Sequence, residues 1–273
     1  MKIVLVFDGD DTCWMNAWQY ERARAYFFCF LYDEFRDLMP GRDFLSLRYK
    51  QNDEYFFPVW GIQRGRVFFG MRKTYQELLD YFKEKLGENS ARFKTILAEK
   101  DEHEKKIFEF GDMPFNFYEL SWVEGLRELL AELKRDKRFA FCLLTSYDVN
   151  VWRDRGKHLE ADKYFSRIKT VWTKKTAQDF IEVSNYENEP LDTIFYTVGN
   201  AAPTDILTAV GISERWCGIH IPHPSSSPIF TTESGSEPYS ISPLEHPRVI
   251  TLRSILELRR MDFENFRLKE PGE

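Results

Sequence analysis

Short β-rich, predominantly apolar runs punctuate the chain at Ile3 to Phe7, Phe139 to Leu144, Ile168 to Trp172, Thr193 to Val198, Trp216 to Ile221 and Arg248 to Leu252. Strands of this kind have both faces covered, unlike the alternating strands of a half-solvated sheet, and they predict parallel α/β architecture. Helix-period stretches lie between them. In the clearest, Ser121 to Arg138, Ser121 and Glu124 stand at capping-box spacing, and Trp122, Leu126, Leu129, Leu130 and Leu133 form one apolar face. Its cationic end suits the helix dipole, and it leads directly into the run at Phe139.

More than a hundred residues of different texture separate the first run from that helix. Met15 to Met39 reads as a long aromatic-rich helix with Tyr26, Phe27 and Phe30 as an interior stripe. Tyr75, Leu78, Leu79, Phe82 and Leu86 mark a second helix, and Ala91 to Phe110 a third, mostly charged and solvent-facing. Between the first two, Val59 to Lys73 combines glycines and aromatics with Arg64, Arg66 and Arg72. It reads as an irregular connection whose arginines meet solvent or a substrate's leaving group. A helical block inserted after the first strand of a parallel sheet predicts a separate cap domain over residues 14–118, with the core made of 1–13 and 119–273. Pro222 to Arg248, rich in Pro and Ser, is the one long loop expected.

With 43% apolar residues the chain can build a globular core. Its 38 Lys and Arg against 44 Asp and Glu give a net charge of -6, which argues against a general nucleic-acid binder but leaves room for a small anionic substrate. The four cysteines, Cys13, Cys29, Cys142 and Cys217, are scattered without a CxxC pair, so reduced thiols are expected. The five-residue apolar run near the N-terminus is too short for a signal peptide, and no window approaches a membrane span. A soluble, cytoplasmic protein, monomer or homodimer, is the expectation. The five histidines show no metal-ligand spacing.

Ligands of open α/β sheets collect beyond the carboxyl ends of the strands. Asp8, Asp10 and Asp11 follow the first run, Thr145 and Ser146 the second, Lys174 and Lys175 the third, and Gly199, Asn200 and Asp205 the fourth. Three carboxylates within four residues repel one another, so FDGDDT is either a solvated turn or a cradle for a cation. The other strand ends favour the second by bringing a hydroxyl, an ammonium and a further carboxylate to the same crevice.

These four groups resemble the motifs of the haloacid dehalogenase-like (HAD) superfamily hydrolases. The first motif of that family is an apolar strand followed by DxDxT, here Asp8, Gly9, Asp10, Asp11 and Thr12. The second ends an apolar strand in Thr or Ser, here Thr145 of FCLLTS; the third is a Lys before a helix, in TVWTKKT; the fourth is VGNAAPTD. FDGDDTCW with VGN is particularly similar to a bacterial phosphatase-like subgroup whose first motif reads FDxDDTLW. The resemblance implies a Rossmannoid core with a helical cap and a magnesium-dependent phosphatase acting on a small phosphorylated metabolite.

It further implies Asp8 as nucleophile and metal ligand, and Asp10 as acid and base with its main-chain carbonyl on the metal. Asp205 would be the second carboxylate on the metal, Thr145 and Ser146 would bind the phosphoryl group, and Lys175, in preference to Lys174, would pair with nucleophile and phosphate. Asp11 is expected to be a support. Asn200 stands where the commoner form has Asp, and would bind through a metal-bound water or orient Asp205. Arg64 is the cap's candidate substrate contact. Relatives that displace halide lack an acid at the position of Asp10, which favours phosphate chemistry. The same core also serves phosphomutases and phosphotransferases, and a weakened one could serve a binding protein.

Overall fold

The structure is a computed structural model, and residues 1–41, 43–61, 63–222 and 244–270 are described. The expected loop Pro222 to Arg248 lies for the most part outside them. In chain order the elements are β1 (Ile3–Phe7), α1 (Ala17–Phe35), α2 (Asp43–Trp60), α3 (Arg64–Leu86), α4 (Ala91–Ala98), α5 (Lys100–Asp112), α6 (Leu126–Leu133), β2 (Phe139–Ser146), α7 (Val149–His158), β3 (Arg167–Val171), α8 (Ala177–Ser184), β4 (Ile194–Gly199), β5 (Trp216–His220) and β6 (Val249–Thr251). The chain divides into two compact units, Met1–Ala17 with Phe117–Glu273, and Trp18–Asn116.

In the first unit all six strands are parallel, in the order β3-β2-β1-β4-β5-β6. Each expected run supplies one strand. β1 is central and fully buried, pairing with β2 from Ile3 opposite Phe139 to Phe7 opposite Leu143, and with β4 from Ile3 opposite Ile194 to Phe7 opposite Val198. Its two neighbours lie on opposite sides, so the strand order reverses at β1 and opens a crevice at its carboxyl end. Continuous burial explains the uninterrupted apolar pattern: Val4, Val6, Cys142, Leu144, Phe195 and Trp216 pack under Phe180 and Val183 of α8. On the other face Phe7 meets Phe141 edge-on at 6.0 Å and Phe165 at 5.8 Å.

The helix expected from Ser121 is shorter, and its capping box does not form. Ser121 and Trp122 instead pair antiparallel with Met15 and Trp14 in a two-residue ribbon, the two indoles meeting edge-on at 5.8 Å. The chain then turns at Gly125, whose φ of 77° lies in the left-handed region that glycine enters without cost, and α6 begins at Leu126. The tryptophan pair outweighs the local capping preference.

The helical unit is built around α3, which buries Val67, Met71, Thr74, Tyr75, Leu78, Leu79 and Phe82. Of the expected aromatic stripe on α1 only Phe27 is core, because burial follows every fourth residue through Gln19, Ala23, Phe27, Leu31 and Phe35. Tyr26 is half exposed and stacks on Phe110, and Phe30 is partly buried against His103 and Phe110. The segment from 59 to 73 is not an irregular connection. α2 runs to Trp60, Gly61 adopts a φ of 54°, and α3 starts at Arg64. The charged stretch from Ala91 breaks at Glu99 into α4 and α5. Among the described residues all four cysteines are free, and no helix is long and apolar enough to cross a membrane.

Candidate active site

The loop after β1 is shaped by its own main chain. Gly9 O accepts the amides of Thr12, Cys13 and Trp14, and Asp11 takes a φ of 57°, which Asp tolerates better than most residues. From there Asp11 Oδ1 accepts the amides of Asn16 at 3.0 Å and Ala17 at 2.9 Å, tying the loop to the start of α1. A side chain on Gly9 would place its Cβ 2.4 Å from the Trp14 ring and 2.5 Å from Thr145 Oγ1. Glycine here lets the loop press against the end of β2.

Asp8 is 8% exposed, and its Oδ2 accepts a hydrogen bond from Thr12 Oγ1 at 3.2 Å. Its Oδ1 accepts one from Lys175 Nζ, which also donates to Asp205 Oδ1 at 2.7 Å. Lys175 precedes α8, whose first turn is fixed by a capping box between Thr176 and Asp179, and it is buried while Lys174 is exposed. The ammonium thus reaches past Asp8 to the second carboxylate, further than the motif suggested. Asp205 sits in a π-helical turn, Ala202–Leu207, beyond β4. The Ala201 amide donates to its Oδ2 at 2.9 Å and Thr197 Oγ1 to its main-chain carbonyl at 2.6 Å. A Cβ on Gly199 would lie 2.5 Å from Asp205 Cβ, so the glycine admits the carboxylate to the strand end.

The Asp205 carboxylate is held by the Ala201 amide, Lys175 and Thr204, and among the described residues it takes no hydrogen bond from the Asn200 side chain; the Asn200 main-chain carbonyl accepts from His220 Nε2 at 3.2 Å. Thr145 stands in the last turn of the β2 ladder opposite Thr170, fully buried, and its hydroxyl has no hydrogen-bond partner. A buried hydroxyl left unpaired costs stability, so it marks a place for an oxygen that arrives with a ligand. Ser146 ends the strand beside it, half buried. Arg64 belongs to the helical unit, at the start of α3, and forks onto the Asp112 carboxylate. Arg66 and Arg72 pair with Asp53 at 3.3 Å and Glu104 at 2.9 Å.

The charges in the crevice do not balance. Burial pushes the Asp8 carboxyl up to about 7, with the Asp205 charge adding to the rise and Lys175 opposing it. Burial works against the charge on Lys175, but Asp205 and Asp8 together outweigh it and raise its pKa. Burial also raises Asp10, against the pull of Arg155. The buried Cys13 thiol is held neutral by burial and by the Asp8 charge, so no soft ligand is offered. Excess negative charge on oxygen donors suits a hard dication such as magnesium, which takes one or two carboxylates and completes its shell with water. Among the described residues no group of three or more His, Cys, Asp or Glu is arranged to hold a metal.

Asp10 has an unanticipated set of neighbours. Trp14 Nε1 donates to its Oδ1 at 2.7 Å, Tyr147 OH donates to the same oxygen, and Asn16 Nδ2 donates to Oδ2 at 2.9 Å. Arg155, from the last turn of α7, donates to the Tyr147 hydroxyl. Nothing in the sequence distinguishes Arg155 from the other charges of WRDRGK, since burial of one arginine among them is a tertiary fact.

The sequence matches no protein-family model and no curated protein. Solved structures do match. A haloacid dehalogenase-like family hydrolase from Xanthomonas campestris is 20% identical with a TM-score of 0.65, over 93% of this chain and 87% of that one. A protein described as a haloacid dehalogenase-like hydrolase from Burkholderia xenovorans is 15% identical with a TM-score of 0.54, over 96% of this chain and 97% of that one. The chain has the fold of the haloacid dehalogenase-like hydrolases, whose four motifs its strand ends resemble.

Proposed function

We propose that the protein is a magnesium-dependent phosphohydrolase that acts on a small phosphomonoester through an aspartyl-phosphate on Asp8. The observation that carries this is the pairing of buried Asp8 with Lys175 at the end of a strand whose next residue, Gly9, lies against the unpartnered Thr145 hydroxyl, with Asp10 two residues from Asp8. Phosphoryl transfer needs an in-line nucleophile, positive charge around the equatorial oxygens and a proton for the leaving oxygen. An Asp8 oxygen attacks phosphorus, the bond from phosphorus to the ester oxygen breaks, and Asp10 gives its proton to the departing alkoxide. Asp10, now a carboxylate, takes a proton from water as that water attacks phosphorus, releasing phosphate and restoring Asp8. Thr145 donates to a phosphoryl oxygen, Ser146 stands next to it at the same strand end, and Lys175 offsets the charge there.

Asp8, Asp205 and the main-chain carbonyl of Asp10 would hold magnesium, with Asn200 reaching it through water. When bound, the ion would supply positive charge for the phosphoryl oxygens and offset the surplus of carboxylates. An acid at position 10 supports phosphate over halide chemistry, because a departing alkoxide needs a proton and a halide does not. The helical unit takes the part of a cap that selects the substrate, with Arg64 a weaker candidate for a contact because Asp112 already engages it. Magnesium-dependent release of free phosphate from p-nitrophenyl phosphate, lost in Asp8→Asn and not replaced by turnover of chloroacetate, is the expected result. Transfer of the phosphoryl group to an added sugar without free phosphate would indicate a phosphotransferase instead.

A further inference from the structure

Three side chains converge on the Asp10 carboxylate, Trp14 from the end of the first motif and Asn16 and Tyr147 from outside the motifs, with Arg155 behind Tyr147, and their hydrogens leave it little freedom. Arg155 and Trp14 are fully buried, Tyr147 and Asn16 are 1% exposed, and the Arg155 guanidinium lies 4.5 Å from the centre of the Tyr147 ring. The ring is held from its other neighbours as well, stacked on Trp152 with 6.3 Å between centroids, while Trp152 in turn lies 5.8 Å from Trp14.

A tyrosine hydroxyl has one proton and lone pairs to accept with. The Tyr147 oxygen accepts from Arg155 Nη1 and from Asn16 Nδ2 at 3.2 Å, both obligate donors, so its own proton goes to Asp10 Oδ1. That oxygen also accepts from Trp14 Nε1, so both of its lone-pair directions are taken. Oδ2 accepts only from Asn16 Nδ2, which must turn its amino group this way because the carboxylate can only accept. Oδ2 is therefore the oxygen left with room for a proton. Arg155 reinforces the arrangement through the phenol, donating to the oxygen whose own proton goes to the Asp10 carboxylate.

We propose that Tyr147 and Arg155 are positioning residues that fix the Asp10 carboxylate by its Oδ1 and present Oδ2 for proton transfer to the leaving oxygen of the substrate. The proposal rests on the phosphohydrolase reading. It separates Asp10 from Asp8, which is held by Lys175 and Thr12, so the two catalytic carboxylates are oriented by independent sets of partners.

The test uses the full chain with magnesium and three aryl phosphates of progressively poorer leaving group: p-nitrophenyl, phenyl and p-methoxyphenyl phosphate. A good leaving group needs little help from an acid, whereas a poor one depends on it. Tyr147→Phe is expected to lower kcat roughly tenfold or more toward p-methoxyphenyl phosphate and by less than about threefold toward p-nitrophenyl phosphate, with KM unchanged. Asp10→Asn should show the same trend more strongly, and Tyr147→Phe/Asp10→Asn should be no slower than Asp10→Asn, because Tyr147 acts only through Asp10. Arg155→Lys should fall between wild type and Arg155→Met. A crystal structure of Tyr147→Phe should show the Asp10 side chain turned away from Trp14 or divided between two rotamers.

Equal losses on all three substrates, or a double variant slower than Asp10→Asn, would overturn the proposal. If Tyr147→Phe does not fold, Arg155→Lys keeps the buried charge and carries the same comparison. Wild-type protein inactive on all three esters would instead overturn the phosphohydrolase reading and remove the proposal's basis with it.

Discussion

Gly9 shows how much of this site depends on an absent side chain. Position 9 is the first x of the DxDxT pattern, which by itself asks for no particular residue there. In the structure a methyl group there would sit 2.4 Å from Trp14 and 2.5 Å from Thr145 Oγ1, distances at which the loop must retreat from β2. Because misplacement of about an ångström can cost 10²-fold in rate, Gly9→Ala should lower kcat by roughly that factor. The measurement is steady-state hydrolysis of p-nitrophenyl phosphate by a variant whose melting temperature stays near wild type. The carboxylates, hydroxyl and lysine were legible because each ends a strand that could be read from its apolar run. Trp14 was legible as the end of FDGDDTCW but not as a partner of Asp10, and Asn16, Tyr147 and Arg155 were not legible, because the network joins the loop after β1 to positions over a hundred residues away, with Arg155 reaching Asp10 only through Tyr147.

Elements were legible where burial and local preference agree, as in β1, and were misread where they compete. Ser121 and Glu124 satisfy a capping-box pattern, yet Trp122 is needed against Trp14, and the helix waits for Gly125. The aromatic stripe of α1 failed because the buried row is narrow: it follows every fourth residue through Gln19, Ala23, Phe27, Leu31 and Phe35, and Tyr26 and Phe30 lie beside it. In the helical unit α5 places His103 against Tyr75 of α3, with Tyr75 OH and His103 Nδ1 2.8 Å apart. Burial lowers the pKa of His103 below its ordinary 6.5, with Glu34 and Glu99 opposing the shift and Lys106 adding to it. Above pH 6.5 both folded and unfolded chains hold it neutral. Below that value the unfolded chain takes up a proton that the folded one resists, so stability is lost as pH falls. Between about pH 7.5 and 5 the melting temperature of wild type should fall more, or rise less, on acidification than that of His103→Gln, which lacks this contribution. The same pH dependence in both would contradict the assignment.

On the scale of the whole molecule, the surplus of carboxylates beyond β1 links stability to pH. Asp8 has a pKa of about 7 in the folded chain against an ordinary 3.8, so between those values the folded state keeps a proton the unfolded state has released. Its contribution is present at low pH and is lost as pH rises through about 7, opposite in sign to that of His103. Magnesium held as proposed would bind the ionised form, so it should raise the melting temperature more at pH 8 than at pH 5, and a concentration of about 100 times its Kd should add about 2.7 kcal/mol. Asp8→Asn should remove most of that difference; a shift independent of pH and of Asp8 would place the ion elsewhere.

The central claim, that Asp8 accepts the phosphoryl group, is tested most directly by acid-quenching wild-type protein during magnesium-dependent turnover of p-nitrophenyl phosphate and mapping its peptides by mass spectrometry. Phosphorylation confined to the peptide that contains Asp8, and absent from Asp8→Asn, is the predicted result. Phosphorylation on another peptide, or full turnover by Asp8→Asn, would contradict it.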